Sequence, residues 1–272
     1  MLQEITEISA SQKYPIGMRY AKDVRAFRYA HVGDITRYGA TYNLRPGIGA
    51  ISDACPNVYT GATIISGALG SKSVVINMTT HVNSMAVASA VAANDYEDGY
   101  FTLYLTTGDG NHWGCKILRN TAEDGVTGYV TLTLEDALPV DLVATDIVMV
   151  EESPYWSVNI SGGGTVQNMP VVGIVRAYNR YKMQASGNSI PSASFLWLQT
   201  WGPCPGMILG RAYGNLENER YMTFADSQAY PNPTSPFSCQ PAGWFLPNNY
   251  NGGTPIDFDY NYSPTVFLVI AP

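Results

Sequence analysis

The side chains that could do chemistry here are three histidines, scattered acidic pairs, four cysteines and five tryptophans. His31, His81 and His112 lie far apart, without H-x-H or HExxH spacing, so only the fold could assemble a zinc site. Acidic pairs such as Glu123-Asp124, Glu135-Asp136 and Glu151-Glu152 fall in turns or at strand ends. A glycosidase needs two carboxyls facing each other across a cleft, and nothing in this spacing sets such a pair. There is no Gly-x-Ser-x-Gly elbow and no Walker loop. Gly108-Asp109-Gly110-Asn111 lacks the alternating oxygen ligands and closing Glu of an EF-hand and reads as a hairpin turn. We therefore expect no catalytic residue, no cofactor and no metal. Trp197, Trp201 and Trp244 are candidates for a sugar-stacking platform, against the simpler use of packing in a core or subunit interface.

These residues sit on a chain that reads as strands throughout. At 272 residues it could form one large all-β domain or two smaller ones. Charged residues make up 14%, against about 25% in ordinary domains. That deficit suits a protein partly covered by neighbours. The net charge of −7 and the scatter of Lys and Arg argue against a nucleic-acid groove. No apolar run reaches membrane-spanning length, and residues 1–8 show neither the basic nor the apolar region of a secretory signal. Cys55, Cys115, Cys204 and Cys239 form no CxxC pair and are expected as buried free thiols, the alternative being one or two disulfides formed after release from the cell.

Residues 1–20 are polar and weakly patterned, an N-terminal arm that is either loose or draped over a neighbouring subunit. The β-domain is expected over 21–272. Strand signals run through 24–30, 62–66, 73–78, 128–134, 146–150, 171–181, 194–200, 207–213 and 265–270, with 146–150 buried on both faces. The stretch from Asp95 to Arg119 reads as a turn at Asp98-Gly99, an outgoing strand, a glycine-rich tip and a returning strand. Tyr100, Thr102, Tyr104 and Thr106 face one side of the outgoing strand, Phe101, Leu103 and Leu105 the other. Alanine-rich 84–94 is the best helix candidate, of one or two turns. Residues 226–264 hold many prolines among aromatics, which excludes a central strand and suggests an ordered extended loop. The class is all-β, a sandwich or barrel of short antiparallel strands.

Four stretches, in order, resemble the head decoration or capsid cement proteins of tailed bacteriophages. Asp23-Val24-Arg25-Ala26-Phe27-Arg28-Tyr29-Ala30 looks like that family's "D-G-R-x-F-R-Y-A", with Val24 in place of a glycine. Asp98-Gly99-Tyr100, Gly108-Asp109-Gly110 and Lys116-Ile117 look like its "D-G-Y, G-x-G, Y-K-I" hairpin. Residues 138–145 leading to Ser153-Pro154-Tyr155 look like "L-x-V-x-L-x-x-x … N-P-Y". Phe195 to Cys204 looks like "Y-G-W-V-Q-T-W-G-P-A". The set spans about 23 to 210 and has no counterpart for 226–264.

The resemblance implies a non-enzymatic structural protein on the capsid exterior. It would be made in the host cytoplasm, bind the major capsid protein where subunits meet, and assemble as a homo-oligomer, a trimer by preference. No nucleic acid or membrane partner is implied. The expected contacts are Tyr14, Ile16 and Met18 in the arm, and Trp244, Phe245 and Tyr250 in the late loop. Deleting the arm is then expected to weaken head binding while leaving the domain folded. The alternatives are a tail or fibre component binding host-surface glycan and, behind it, a carbohydrate-active enzyme.

Overall fold

The computed structural model describes residues 2–33, 44–52, 56–60, 64–78, 91–105, 112–143, 145–160, 170–177, 190–207, 221–225, 228–231, 240–245 and 265–271. In chain order the strands begin with β1 (Arg19–Lys22), β2 (Arg25–His31), β3 (Gly49–Ser52), β4 (Pro56–Thr60), β5 (Ile64–Ser66) and β6 (Ser73–Asn77). They continue with β7 (Tyr100–Tyr104), β8 (His112–Asn120), β9 (Tyr129–Leu134), β10 (Ile147–Glu151), β11 (Val158–Asn159) and β12 (Val171–Val175). The last are β13 (Phe195–Cys204), β14 (Tyr221–Ala225), β15 (Gln228–Pro231), β16 (Gln240–Phe245) and β17 (Val266–Val269). Among the described residues there is no helix, and all named strand pairs are antiparallel. The protein is all-β.

The chain divides into two compact units, Met1–Asp53 with Tyr155–Pro272, and Ala54–Pro154. The sequence alone reads as one domain over 21–272. No Pro/Gly/Ser-rich linker marks either crossing, and both units are built from the same kind of short strand; what changes at the boundary is charge, since Ala54–Pro154 holds three Lys and Arg against twelve Asp and Glu.

The second unit is a seven-stranded sheet in the order β4-β10-β7-β8-β9-β6-β5. Its strands alternate, and one face supplies the core: Ile76, Phe101, Ile117, Leu132 and Val148 are fully buried together. β10 shows the same alternation, with Val148 and Val150 buried and Ile147, Met149 and Glu151 half-exposed. The expectation of burial on both faces is thus corrected. β7 behaves as read, Phe101 and Leu103 inward and Tyr100 outward. Asp98 takes φ +64° at the turn before it, and its carboxylate pairs with the Lys116 ammonium across the hairpin.

The helix expected over 84–94 is absent from its described part. Residues 91–94 are held open as a turn instead: Asn120 donates to the Ala92 carbonyl (2.9 Å) and accepts from Tyr96 N–H (2.8 Å). Local alanine propensity yields to a buried amide that claims the backbone groups a helix would use. Residues 84–90 lie outside the described residues.

In the first unit the sheet runs β11-β3-β12-β13-β17-β16-β14-β15, with β2 also paired to β13 and β1 to β2. β13 is the axis. Its first half pairs with β2 and β12, and its second half with β17. Here the reading of 226–264 is corrected. β16, which contains Pro241, lies between β14 and β17. The proline is accommodated at a register shift, where β14 skips from Met222↔Gly243 to Thr223↔Pro241; a bulge removes the ladder bond that proline cannot make.

Candidate functional site

The arm residues selected from sequence are brought together, but largely inside the protein. Ile16 is 3% exposed and clusters with Phe27, Tyr29 and Trp197. The Tyr14 ring meets Tyr29 edge-on at 5.4 Å and Trp197 at 5.2 Å. Gln3 is buried as well; its side-chain N–H groups donate to the carbonyls of Glu7 and Phe195, and its oxygen accepts from the Tyr29 hydroxyl at 2.6 Å. Ser9 and Phe195 exchange both backbone bonds. The arm is thus fastened to its own unit, and only Met18 of the three selected residues remains exposed. Trp197 is 1% exposed, which removes it from the sugar-platform candidates.

The arm ends in β1, which among the described residues pairs only with β2. The two are joined by a two-residue turn, with Asp23 at φ +56° and Lys22 opposite Arg25. In such a hairpin the flanking pair is hydrogen-bonded and the pairs alternate outward, so Arg19 and Ala21 direct their N–H and C=O groups away from β2. β1 is an open edge. Around it stand Met18 and Val24, both exposed, with Arg19 and Lys22.

The other selected group lies far along the chain. Tyr221, Trp244, Phe267 and Pro203 stand opposite one another on β14, β16, β17 and β13. Their chain neighbours Met222, Leu268 and Cys204 point into a buried core, so the row lies on the reverse face. Trp244 stacks on Phe267 at 5.1 Å with planes 5° apart, and Trp201 meets Phe267 edge-on at 5.7 Å. Trp244 and Tyr221 remain 42% and 45% exposed. Phe245 is the last residue of β16, and Tyr250 lies outside the described residues. Sequence reading found Trp201 and Trp244 but missed Tyr221 and Phe267, because a face shared by four strands is visible only once their register is known.

Two irregularities set this row. Between Gln199 and Trp201 the register of β13 against β2 slips by one. The buried Gln199 amide caps the slip by donating to the carbonyls of Trp201, Gly202 and Pro203. Gly202 has φ +83°, and a Cβ there would lie 2.3 Å from the Val24 carbonyl oxygen.

The titratable groups are otherwise dispersed. Among the described residues no group of three or more His, Cys, Asp or Glu comes together. Several carboxyls instead accept from structural donors: Asp124 from the nearby Val126 N–H and Thr127 hydroxyl, and, across the chain, Glu123 from Val91 N–H and Asp141 from Leu69 N–H. Hydrogen bonds to its charged form hold the Asp124 carboxyl below its ordinary range. Cys115 and Cys204 are free and buried, and burial pushes the Cys204 thiol up to about 11. Cys55, Cys239 and His81 lie outside the described residues.

His31 stacks on Trp156 at 4.3 Å and lies against Phe195 at 4.9 Å. Its buried Nδ1 has no hydrogen-bond partner among the described residues, and burial lowers its pKa below the usual 6.5. The folded state therefore binds fewer protons than the unfolded chain between the lowered pKa and 6.5. The resulting stability is present above the unfolded value and is lost as pH falls from there through the lowered, folded-state value. We expect the urea midpoint of this unit to drop between about pH 7.5 and 5.5. His31→Phe should flatten that drop, and an unchanged slope in the variant would sink the assignment to His31.

No family model, no curated protein and no solved structure matches this chain.

Proposed function

We propose that the chain is a structural virion protein, a decoration protein. It would bind the outside of a bacteriophage head at junctions of the major capsid protein. The observation that carries this reading is the open β1 edge. An exposed strand can be extended by a strand of a partner through main-chain hydrogen bonds, with flanking apolar side chains adding contact. Here those side chains are Met18 and Val24. Charge supports it. By sequence the unit carrying β1 holds twelve Lys and Arg against ten Asp and Glu, and the other unit three against twelve. The unit that carries this edge therefore has a slight excess of basic residues. The ordered resemblance of four stretches to decoration proteins adds the shell as partner and a trimer as the preferred assembly.

Ala21→Pro tests this without disturbing the hairpin, because it deletes an N–H that β2 does not use. Undecorated heads would be incubated with the full chain and bound protein quantified per particle. We expect Ala21→Pro to lower apparent affinity by about tenfold, the loss of one or two main-chain bonds. Equal decoration by variant and parent would overturn the edge as the docking element. Parent protein that never decorates heads would overturn the function.

A further inference from the structure

We infer that the aromatic row on β13, β17, β16 and β14 is a binding site for a neutral oligosaccharide, separate from the β1 edge. Phe267 occupies one face of the Trp244 indole. Tyr221 is its cross-strand neighbour on the other side, and among the described residues no ring contact joins the two, although both are more than 40% exposed. Among the described residues the second indole face therefore meets no ring and stands next to a phenol. That pairing suits a pyranose: its C–H face stacks on the indole while the Tyr221 hydroxyl meets a ring hydroxyl.

Charge narrows the ligand. β13, β14, β16 and β17 contain no Asp, Glu, Lys or Arg. A sulfated, phosphorylated or sialylated glycan would find no counter-charge on these strands, whereas a neutral sugar needs none. Beyond Tyr221 the row is covered, since Thr223 is 1% exposed. Thr223 is two residues beyond Tyr221 on β14, and its neighbours Met222 and Phe224 both face the core, so Thr223 lies on the row's side. Its hydroxyl is buried and has no hydrogen-bond partner among the described residues. Successive strands are about 4.8 Å apart, so the row extends across three spacings and accommodates a chain of sugars rather than one ring.

The test uses the full chain against immobilised neutral oligosaccharides of gluco, galacto and manno configuration, with sulfated counterparts. Affinity is followed by surface binding and by tryptophan fluorescence. We expect at least one neutral series to bind. Trp244→Ala should weaken it by about tenfold or more, and Tyr221→Phe by about threefold to tenfold. Near-ultraviolet circular dichroism checks the fold of each variant; Trp244→Phe, which keeps a stackable ring, should fall between parent and Trp244→Ala. No binding to any neutral probe, equal binding by Trp244→Ala, or preference for the sulfated probes would each overturn the proposal. So would self-association that Trp244→Ala abolishes in the absence of sugar binding, which would assign the row to a second copy of the chain. Ala21→Pro should leave sugar binding intact, so failure at the β1 edge and failure at the row are distinguishable.

Discussion

Removing residues 1–18 is expected to unfold the unit that carries them, not to release a domain lacking only its docking arm. Ile16 is buried against Phe27, Tyr29 and Trp197. Truncating a buried isoleucine to alanine costs about 2–5 kcal/mol. Deletion would also uncover the Tyr14 contacts, strip Tyr29 of its Gln3 partner and remove the Ser9–Phe195 bonds. Against a total stability of about 5–15 kcal/mol for a domain, that sum leaves little. Trp156, Trp197, Trp201 and Trp244 all belong to this unit, so its unfolding dominates tryptophan fluorescence. The deletion should abolish the cooperative urea transition seen by that signal, and Ile16→Ala alone should lower stability by about 3 kcal/mol. A truncated chain with the parental midpoint would show that the arm is as detachable as its sequence suggests.

That sequence misleads for a physical reason. Residues 1–20 are polar on average, and averages hide that Gln3, Tyr14 and Ile16 are spaced to reach a single aromatic cluster. A buried glutamine with every polar atom satisfied is as much a core residue as an isoleucine, yet hydropathy counts it as surface. The all-β class was legible because alternation in β7, β9 and β6 and their turn residues agree locally with the sheet they form. The Asp98–Lys116 pair and the Asp23 turn were visible as motifs but not as interactions. In the latter the positive φ falls on Asp23 and not on Val24, so a valine fits where the resembling family has glycine. Pro241 in an interior strand was illegible, because the bulge that admits it is a property of the β14–β16 register. For the same reason the row of Tyr221, Trp244 and Phe267 could not be read from residues that are far apart in the chain.

Gly243→Ala is the second change expected to have a large effect, and it tests whether the row is built by close approach of backbones. Gly243 has φ +141°, and a Cβ there would lie 1.8 Å from the Phe267 carbonyl oxygen and 2.8 Å from its carbon. Both obstacles are backbone, so no rotamer change relieves them. β16 and β17 would have to separate. That forfeits ladder hydrogen bonds at about 0.5–1.5 kcal/mol each and leaves backbone strain of about 1–3 kcal/mol, a combined loss of about 3–5 kcal/mol. Gly206 is the matched control in the same unit: it has φ +73°, and a Cβ there would meet nothing within 4 Å. Gly206→Ala should therefore pay only the left-handed conformational cost of about 1–2 kcal/mol. Urea unfolding followed by tryptophan fluorescence compares the two, and equal losses would mean that the close β16–β17 approach contributes nothing. The same substitution parts the Trp244 and Phe267 rings while leaving both residues in place. Any Gly243→Ala protein that remains folded in cold buffer should thus bind neutral oligosaccharide about as weakly as Trp244→Ala, since the open indole face depends on the strand that holds it upright.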